Sequence, residues 1–306
     1  MRESESIRRV LPPPSAEHFQ ADYARLGELE LTIEIGGLQI RLFGLPPELL
    51  RALRERYDRF VAKEFRAGLS VELCAADREY YIEPPEQSEF NPVHLVCDGD
   101  VVRFISYTLA GIFETTGDRG RLLLADGDIE PADRAIENFV RTAIAWRAAE
   151  IGGALVHAAS AVWDGRGYLF YGESGAGKST LSACNRRATI ISDDLSLVIP
   201  GEDGQPLLAG TPFRGTYEEG ERVVGRFPLA AGFRLVQATE SRVEEVSRVR
   251  ALSELIGNLP FVAEGFVKRP DLFDKVQRGF AQLPLRHLHF SNQDDGYWDA
   301  IRDAAL

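Results

Sequence analysis

The sequence has few cysteines, no long apolar run and no surplus of positive charge. Its three cysteines, Cys74, Cys97 and Cys184, are odd in number and widely spaced. They make neither a disulfide framework nor a zinc-binding pattern, so buried thiols in a reducing compartment are expected. No stretch reaches the roughly eighteen consecutive apolar residues that a membrane helix needs. The opening MRESESIRRVLPPPSAEHF is charged and proline-rich and lacks the apolar centre of a signal peptide, which makes the cytoplasm the expected compartment. A net charge of −12 argues against a dedicated nucleic-acid binder and against a polybasic membrane contact. Internal repeats and low-complexity tracts are missing as well.

What is present is ordinary for a globular chain. With 306 residues, 44% hydrophobic and 27% charged, there is enough for one large domain or two smaller ones. Residues 1–27 are expected to form a flexible N-terminal arm, because Pro12 to Pro14 deny it regular hydrogen bonding. The stretch ELTIEIGGLQIRLFG alternates apolar and polar residues around Gly36-Gly37 and predicts a hairpin. Pro46 opens a helix with Leu49, Leu50, Leu53, Tyr57, Phe60 and Val61 on one face. Strand-like pieces near 70–74, 93–97 and 101–109 complete a small α+β domain over residues 28–128. No catalytic constellation falls in it, and acceptor recognition or assembly is its expected task.

The run GDIEPADRAIENFVRTAIAWRAAEIGG predicts a second helix. Pro131 suits its first turn, Ile136, Phe139, Val140, Ala143 and Ile144 form an apolar stripe, and Gly152-Gly153 ends it. ALVHAASAVWD and GYLFYG, separated by Asp164-Gly165, read as paired strands. Residues 129–306 thus read as a second domain, of α/β type. It closes with a helix near 270–280, the strand PLRHLHF and the helix GYWDAIRDAAL.

The chemistry concentrates after that hairpin. Gly172-Glu173-Ser174-Gly175-Ala176-Gly177-Lys178-Ser179 fits G-x-x-x-x-G-K-[ST] in full, with Thr180 next in the helix it opens. Glycines let the backbone turn its N–H groups inward onto phosphates. Lys178 is placed to reach the β- and γ-phosphates of ATP, and the Ser179 hydroxyl to bind Mg²⁺. Asp193 and Asp194 follow the β-branched run ATIIS, at a strand end where parallel sheets place ligand-binding groups. One can hold Mg²⁺ and the other accept the proton of an attacking hydroxyl. The competing reading makes one of them a cap or turn residue.

The remaining candidates carry two readings each. His157, on the strand before the loop, is by itself a hydrogen-bonded core histidine. Arg214, in AGTPFRG, either faces the transferred phosphate or lies on the surface. Glu218 and Glu219 either add a metal ligand or are solvated. Lys268-Arg269 is a solvated helix entry or a phosphate contact. Trp146, Trp163 and Trp298 read as packing residues.

Together, GGALVHAASAVWDGRGYLFYGESGAGKSTL, SDDLSLV and GTPF resemble the catalytic domain of HPr kinase/phosphorylase and its related kinases. Those proteins are similar in fold to the nucleotide-binding part of ATP-dependent phosphoenolpyruvate carboxykinase. The resemblance covers residues 137–290, half of the chain. It implies a P-loop kinase domain in which Lys178 and Ser179 bind ATP phosphates and Mg²⁺, Asp193 is the base and Asp194 the metal-linked carboxylate. It also places His157 at the family's active-site histidine. The glycine- and arginine-rich signature for HPr recognition and phosphorolysis is missing. GTPF fits the related kinases, some of which act on serine in free amino acids or in peptides. An ATP- and Mg²⁺-dependent kinase is therefore expected, acting on a hydroxyl of serine type in a protein, peptide or small molecule. A nucleotide-gated binding module and a plain ATPase are the rivals, and homo-oligomerisation is left open.

Overall fold

In the computed structural model, residues 12–84, 92–213, 215, 223–291 and 295–304 are described. The chain divides into two units. The first holds Met1–Leu31, Ile40–Glu55 and Ala67–Val140; the second holds Thr32–Gln39, Arg56–Arg66 and Arg141–Leu306. The division runs through a helix, between Val140 and Arg141, whereas the sequence reading set its boundary near residue 128.

The hairpin predicted at Gly36-Gly37 joins β1 (Leu29–Ile35) to β2 (Leu38–Leu45). Both glycines have positive φ, +59° and +89°, as a tight hairpin turn demands. Helix α1 (Pro47–Tyr57) follows, with Leu53 and Tyr57 fully buried. The strands β3 (Leu69–Ala75), β4 (His94–Asp98), β5 (Val101–Ile105), β6 (Leu109–Glu114) and β7 (Arg119–Leu124) complete a seven-stranded sheet. Its order is β1-β2-β3-β7-β6-β5-β4. The β2–β3 and β3–β7 pairs are parallel, and β4 to β7 form an antiparallel meander. Phe139, on α2 (Ala132–Glu150), meets Phe104 and Phe113 edge to face at 6.0 and 5.6 Å.

Part of the expected arm is not free. Phe19 is buried against Cys74, Tyr81, Ile105, Ala110 and Leu123. Arg121 Nη1 donates to the Phe19 carbonyl at 2.8 Å, and Ala75 N donates to the Ala24 carbonyl at 2.9 Å. An apolar side chain over an open sheet face outweighs the chain-breaking prolines before it.

In the second unit, β8 (Ala154–Trp163) and β9 (Arg166–Tyr171) form the expected antiparallel hairpin. Helix α3 (Lys178–Cys184), β10 (Thr189–Ser192), β11 (Leu195–Pro200), β12 (Pro206–Ala209) and β13 (Arg226–Gln237) follow. Then come β14 (Arg242–Glu244), α4 (Arg248–Ile256), α5 (Ala263–Lys268), α6 (Pro270–Gly279), β15 (Leu285–Phe290) and α7 (Tyr297–Asp303). Pairing runs from β8 to β11, β12 and β13, then to β9 and back to β8, so five strands close a ring. Closure satisfies the backbone of every member without a free edge inside the ring. The core beside it gathers Phe170, Phe233, Phe290, Tyr297 and Trp298. The chain is thus a mixed α/β protein. No helix among the described residues is long and apolar enough to cross a membrane.

Candidate functional site

The glycine loop lies between β9 and α3, the strand-then-helix setting its motif requires. Gly177 adopts a left-handed φ of +103°, and a Cβ there would meet the Phe290 ring at 2.5 Å. Glycine is needed on both counts. Gln237, from the end of β13, donates its amide to the Gly175 carbonyl at 2.9 Å and braces the loop from outside. Gly172 is buried, Glu173, Ser174, Gly175, Ser179 and Thr180 are exposed, and Ala176 and Gly177 lie between.

Lys178 is largely buried, and its ammonium donates to the carbonyls of Gly172 and Glu173 at 2.7 and 3.3 Å. Burial lowers its pKa, and the Asp194 carboxylate opposes that shift. Lysine and carboxylate therefore share one electrostatic neighbourhood.

The aspartates sit where a single strand course bends. Ser192 pairs with Ser160 of β8, and Leu195 pairs with His157 of the same strand. Ser192 and β11 therefore share one register, β10 having slipped by one residue between Ile190 and Ser192, and Ala158 N donates to the Asp194 carbonyl at 2.9 Å. Both partners run antiparallel to β8, which corrects the parallel-sheet placement expected for the pair. What brings two adjacent carboxylates to one side is the bend, because a regular strand would point them apart. Ser192 Oγ donates to the Leu195 carbonyl at 3.0 Å and accepts from Asp194 N at 3.3 Å, which ties the bend together.

Asp193 is buried and accepts from Gly215 N at 2.9 Å. Asp194 is flanked by His157 Nε2 at 3.5 Å and by Arg141 Nη1 at 3.9 Å. Burial raises the Asp194 pKa; Arg141, His157 and Lys178 pull it back, while Asp193 pushes it further up. The His157 pKa is lowered, first by burial and then by Lys178, against the pull of Asp194. His157 is thus neutral near neutral pH, and its approach to Asp194 is a polar contact instead of an ion pair.

The structure accordingly brings Lys178, Asp193, Asp194 and His157 to one place, close to the glycine loop. Arg214, Glu218 and Glu219 lie outside the described residues. Arg269 is committed elsewhere, to Glu150 and to Asp271 at 2.8 Å, and Lys268 pairs with Glu264 at 2.6 Å. Trp146 and Trp298 are fully buried, as packing residues should be. Sequence reasoning missed Arg141, which on α2 resembles any polar position beside the apolar stripe. Its guanidinium also lies 5.4 Å from the Phe213 ring centroid, a cation–π contact.

Among the described residues, no group of three or more His, Cys, Asp or Glu is arranged to hold a metal ion by itself. The oxygens of Ser179 and Asp194 are of the hard-donor chemistry that Mg²⁺ takes beside phosphate and water.

Fold and site together define a mixed α/β protein with a phosphate-loop motif set beside two carboxylates, a histidine and an arginine. The family model described as "ScmC: SynChlorMet cassette protein ScmC" matches residues 134–262, less than half of the chain. That span includes Arg141, His157, the glycine loop and both aspartates. No curated protein matches the chain.

Proposed function

We propose that this chain is an ATP- and Mg²⁺-dependent phosphotransferase with a P-loop domain of the HPr kinase/phosphoenolpyruvate carboxykinase type. It moves the γ-phosphate to a hydroxyl of serine type on a protein, peptide or small molecule. The observation that carries this reading is a glycine loop whose Lys178 ammonium is held at the Gly172 carbonyl, beside Asp193 bound by Gly215 N and Asp194 at 3.5 Å from His157. Backbone amides of Glu173 to Ser179 wrap the phosphates, and the Lys178 ammonium leaves its own loop carbonyls to neutralise them. Mg²⁺, when bound, would supply neutralising charge at the phosphates. Asp194 and Ser179 would hold it, with Arg141 favouring the ionised form of Asp194. Asp193, oriented by Gly215 N, takes the hydroxyl proton. His157 stays neutral and lines the space between carboxylate and acceptor.

Incubation of the chain with γ-labelled ATP and a lysate of the source cell tests this reading. One or more labelled acceptors are expected with the wild type and none with Lys178→Ala. The variant should bind Mg-ATP roughly 10–100-fold more weakly by calorimetry, the loss of one charge-assisted phosphate contact. ATP binding without transfer would leave a nucleotide-gated module, and labelled inorganic phosphate alone a plain ATPase. Equal affinities would refute the nucleotide site.

A further inference from the structure

Beside the transfer centre lies a cavity of about 470 Å³, lined by His157, Glu173, Ser174, Arg234, Glu254 and the turn from Gly257 to Pro260. Its wall includes residues of the glycine loop, and His157 belongs both to it and to the contact with Asp194. A molecule filling it therefore reaches His157, whose Nε2 stands 3.5 Å from Asp194. Its size is that of a small-molecule site, not of a folded protein surface.

The cavity's cation is placed by the sheet. Arg234 stands on β13, in register with Tyr171 of β9 and His287 of β15, so its backbone is fixed on both sides. Glu254 has close partners in His287 Nε2 at 2.7 Å and Arg250 Nε at 3.0 Å. Arg234 reaches it at 3.8 Å, beyond hydrogen-bond distance. With the glutamate satisfied by others, the guanidinium keeps its planar fork for an incoming anion. Two carboxylates on the same wall, Glu173 and Glu254, repel a dianion more than a monoanion, which selects a carboxylate over a phosphate.

Resting on the phosphotransferase reading, we propose that this cavity is the acceptor subsite and that Arg234 binds the carboxylate of a small hydroxy acid. The acceptor hydroxyl oxygen bonds to the γ-phosphorus as the bond from phosphorus to the β–γ bridging oxygen breaks. ADP leaves with that electron pair, and the hydroxyl proton passes to Asp193.

The test compares serine with serinamide and glycolate with glycolamide as acceptors, with Arg234→Ala and Arg234→Lys beside the wild type. Carboxylates should outperform their amides. Arg234→Ala should raise KM for the carboxylates roughly 10–100-fold and leave KM for Mg-ATP unchanged. Arg234→Lys should recover part of that loss, and the amides should be indifferent to either change. A merely structural arginine would shift neither acceptor selectively. Amides as good as acids, or an unchanged KM in Arg234→Ala, overturns the proposal. If ATP binds but nothing is phosphorylated, the phosphotransferase reading fails. Calorimetry of serine and glycolate against the Mg-ADP-loaded chain then decides. Binding lost in Arg234→Ala upholds the carboxylate site, and no binding removes it.

Discussion

Replacing Gly177 by alanine places two costs on one methyl group. The backbone there has a φ of +103°, where an L-residue is strained by about 1–2 kcal/mol. The new Cβ would also stand 2.5 Å from Cζ of Phe290. That ring is buried in the cluster with Phe170, Tyr297 and Trp298, so it cannot simply swing away. Overpacking of this kind costs about 1–3 kcal/mol. The sum, about 2–5 kcal/mol, is a large part of an ordinary domain's stability. Phe290→Leu removes the clashing atom and leaves the backbone strain. In a double-mutant cycle Gly177→Ala and Phe290→Leu should therefore couple favourably by about 1–3 kcal/mol. Urea unfolding followed by tryptophan fluorescence reads this cleanly, because Trp146, Trp163 and Trp298 all belong to the second unit. An unchanged midpoint for Gly177→Ala, or zero coupling in the cycle, would refute the geometry.

The aspartates should separate when tested side by side. Asp193→Asn should keep Mg-ATP affinity and cut transfer by roughly 10²–10⁴-fold, as for a lost general base. Asp194→Asn should weaken Mg²⁺ dependence and recover in part at higher Mg²⁺; full transfer in both variants would sink both roles. The lowered His157 pKa means that the unfolded chain binds more protons below about pH 6.5, so this residue makes stability fall on acidification until the folded imidazole also protonates. Asp194, whose pKa is raised, acts in the opposite sense by taking up its proton earlier in the folded state. Melting His157→Gln and wild type between about pH 7.5 and 5.5 should therefore show a flatter profile for the variant, and parallel profiles would refute the assignment.

The features legible in the sequence are those set by neighbours along the chain. Gly36-Gly37 and Asp164-Gly165 announced their hairpins, Pro131 and Gly152 bracketed α2, and the glycine loop with its lysine was complete as written. Long-range pairing was not legible. Closing the ring needs β8 to meet β11 and β9 to meet β13, some forty to sixty residues apart, and apolar runs carry no address for their partners. The region read as one strand over 101–109 is β5 and the start of β6, with a turn between. Arg141, Gln237 and Arg234 escaped notice for the same reason. Each is an ordinary polar residue until a distant element arrives beside it.

The bend at Asp193-Asp194 leaves Ser192 and β11 in step on β8, the one-residue slip of β10 having been absorbed just before it, between Ile190 and Ser192. Its length is therefore locked even though its side chains are exposed to change. Losing or gaining one residue there would turn every β11 side chain to the opposite face. Ser196, whose hydroxyl donates to the Ala158 carbonyl and to Ser160 Oγ, would trade places with its apolar neighbours Leu195 and Leu197. Drift at this centre can therefore proceed by exchanging residues but not by adding or dropping them. A descendant that abandoned its chemistry would still carry two residues between Ser192 and Leu195, whatever those residues had become.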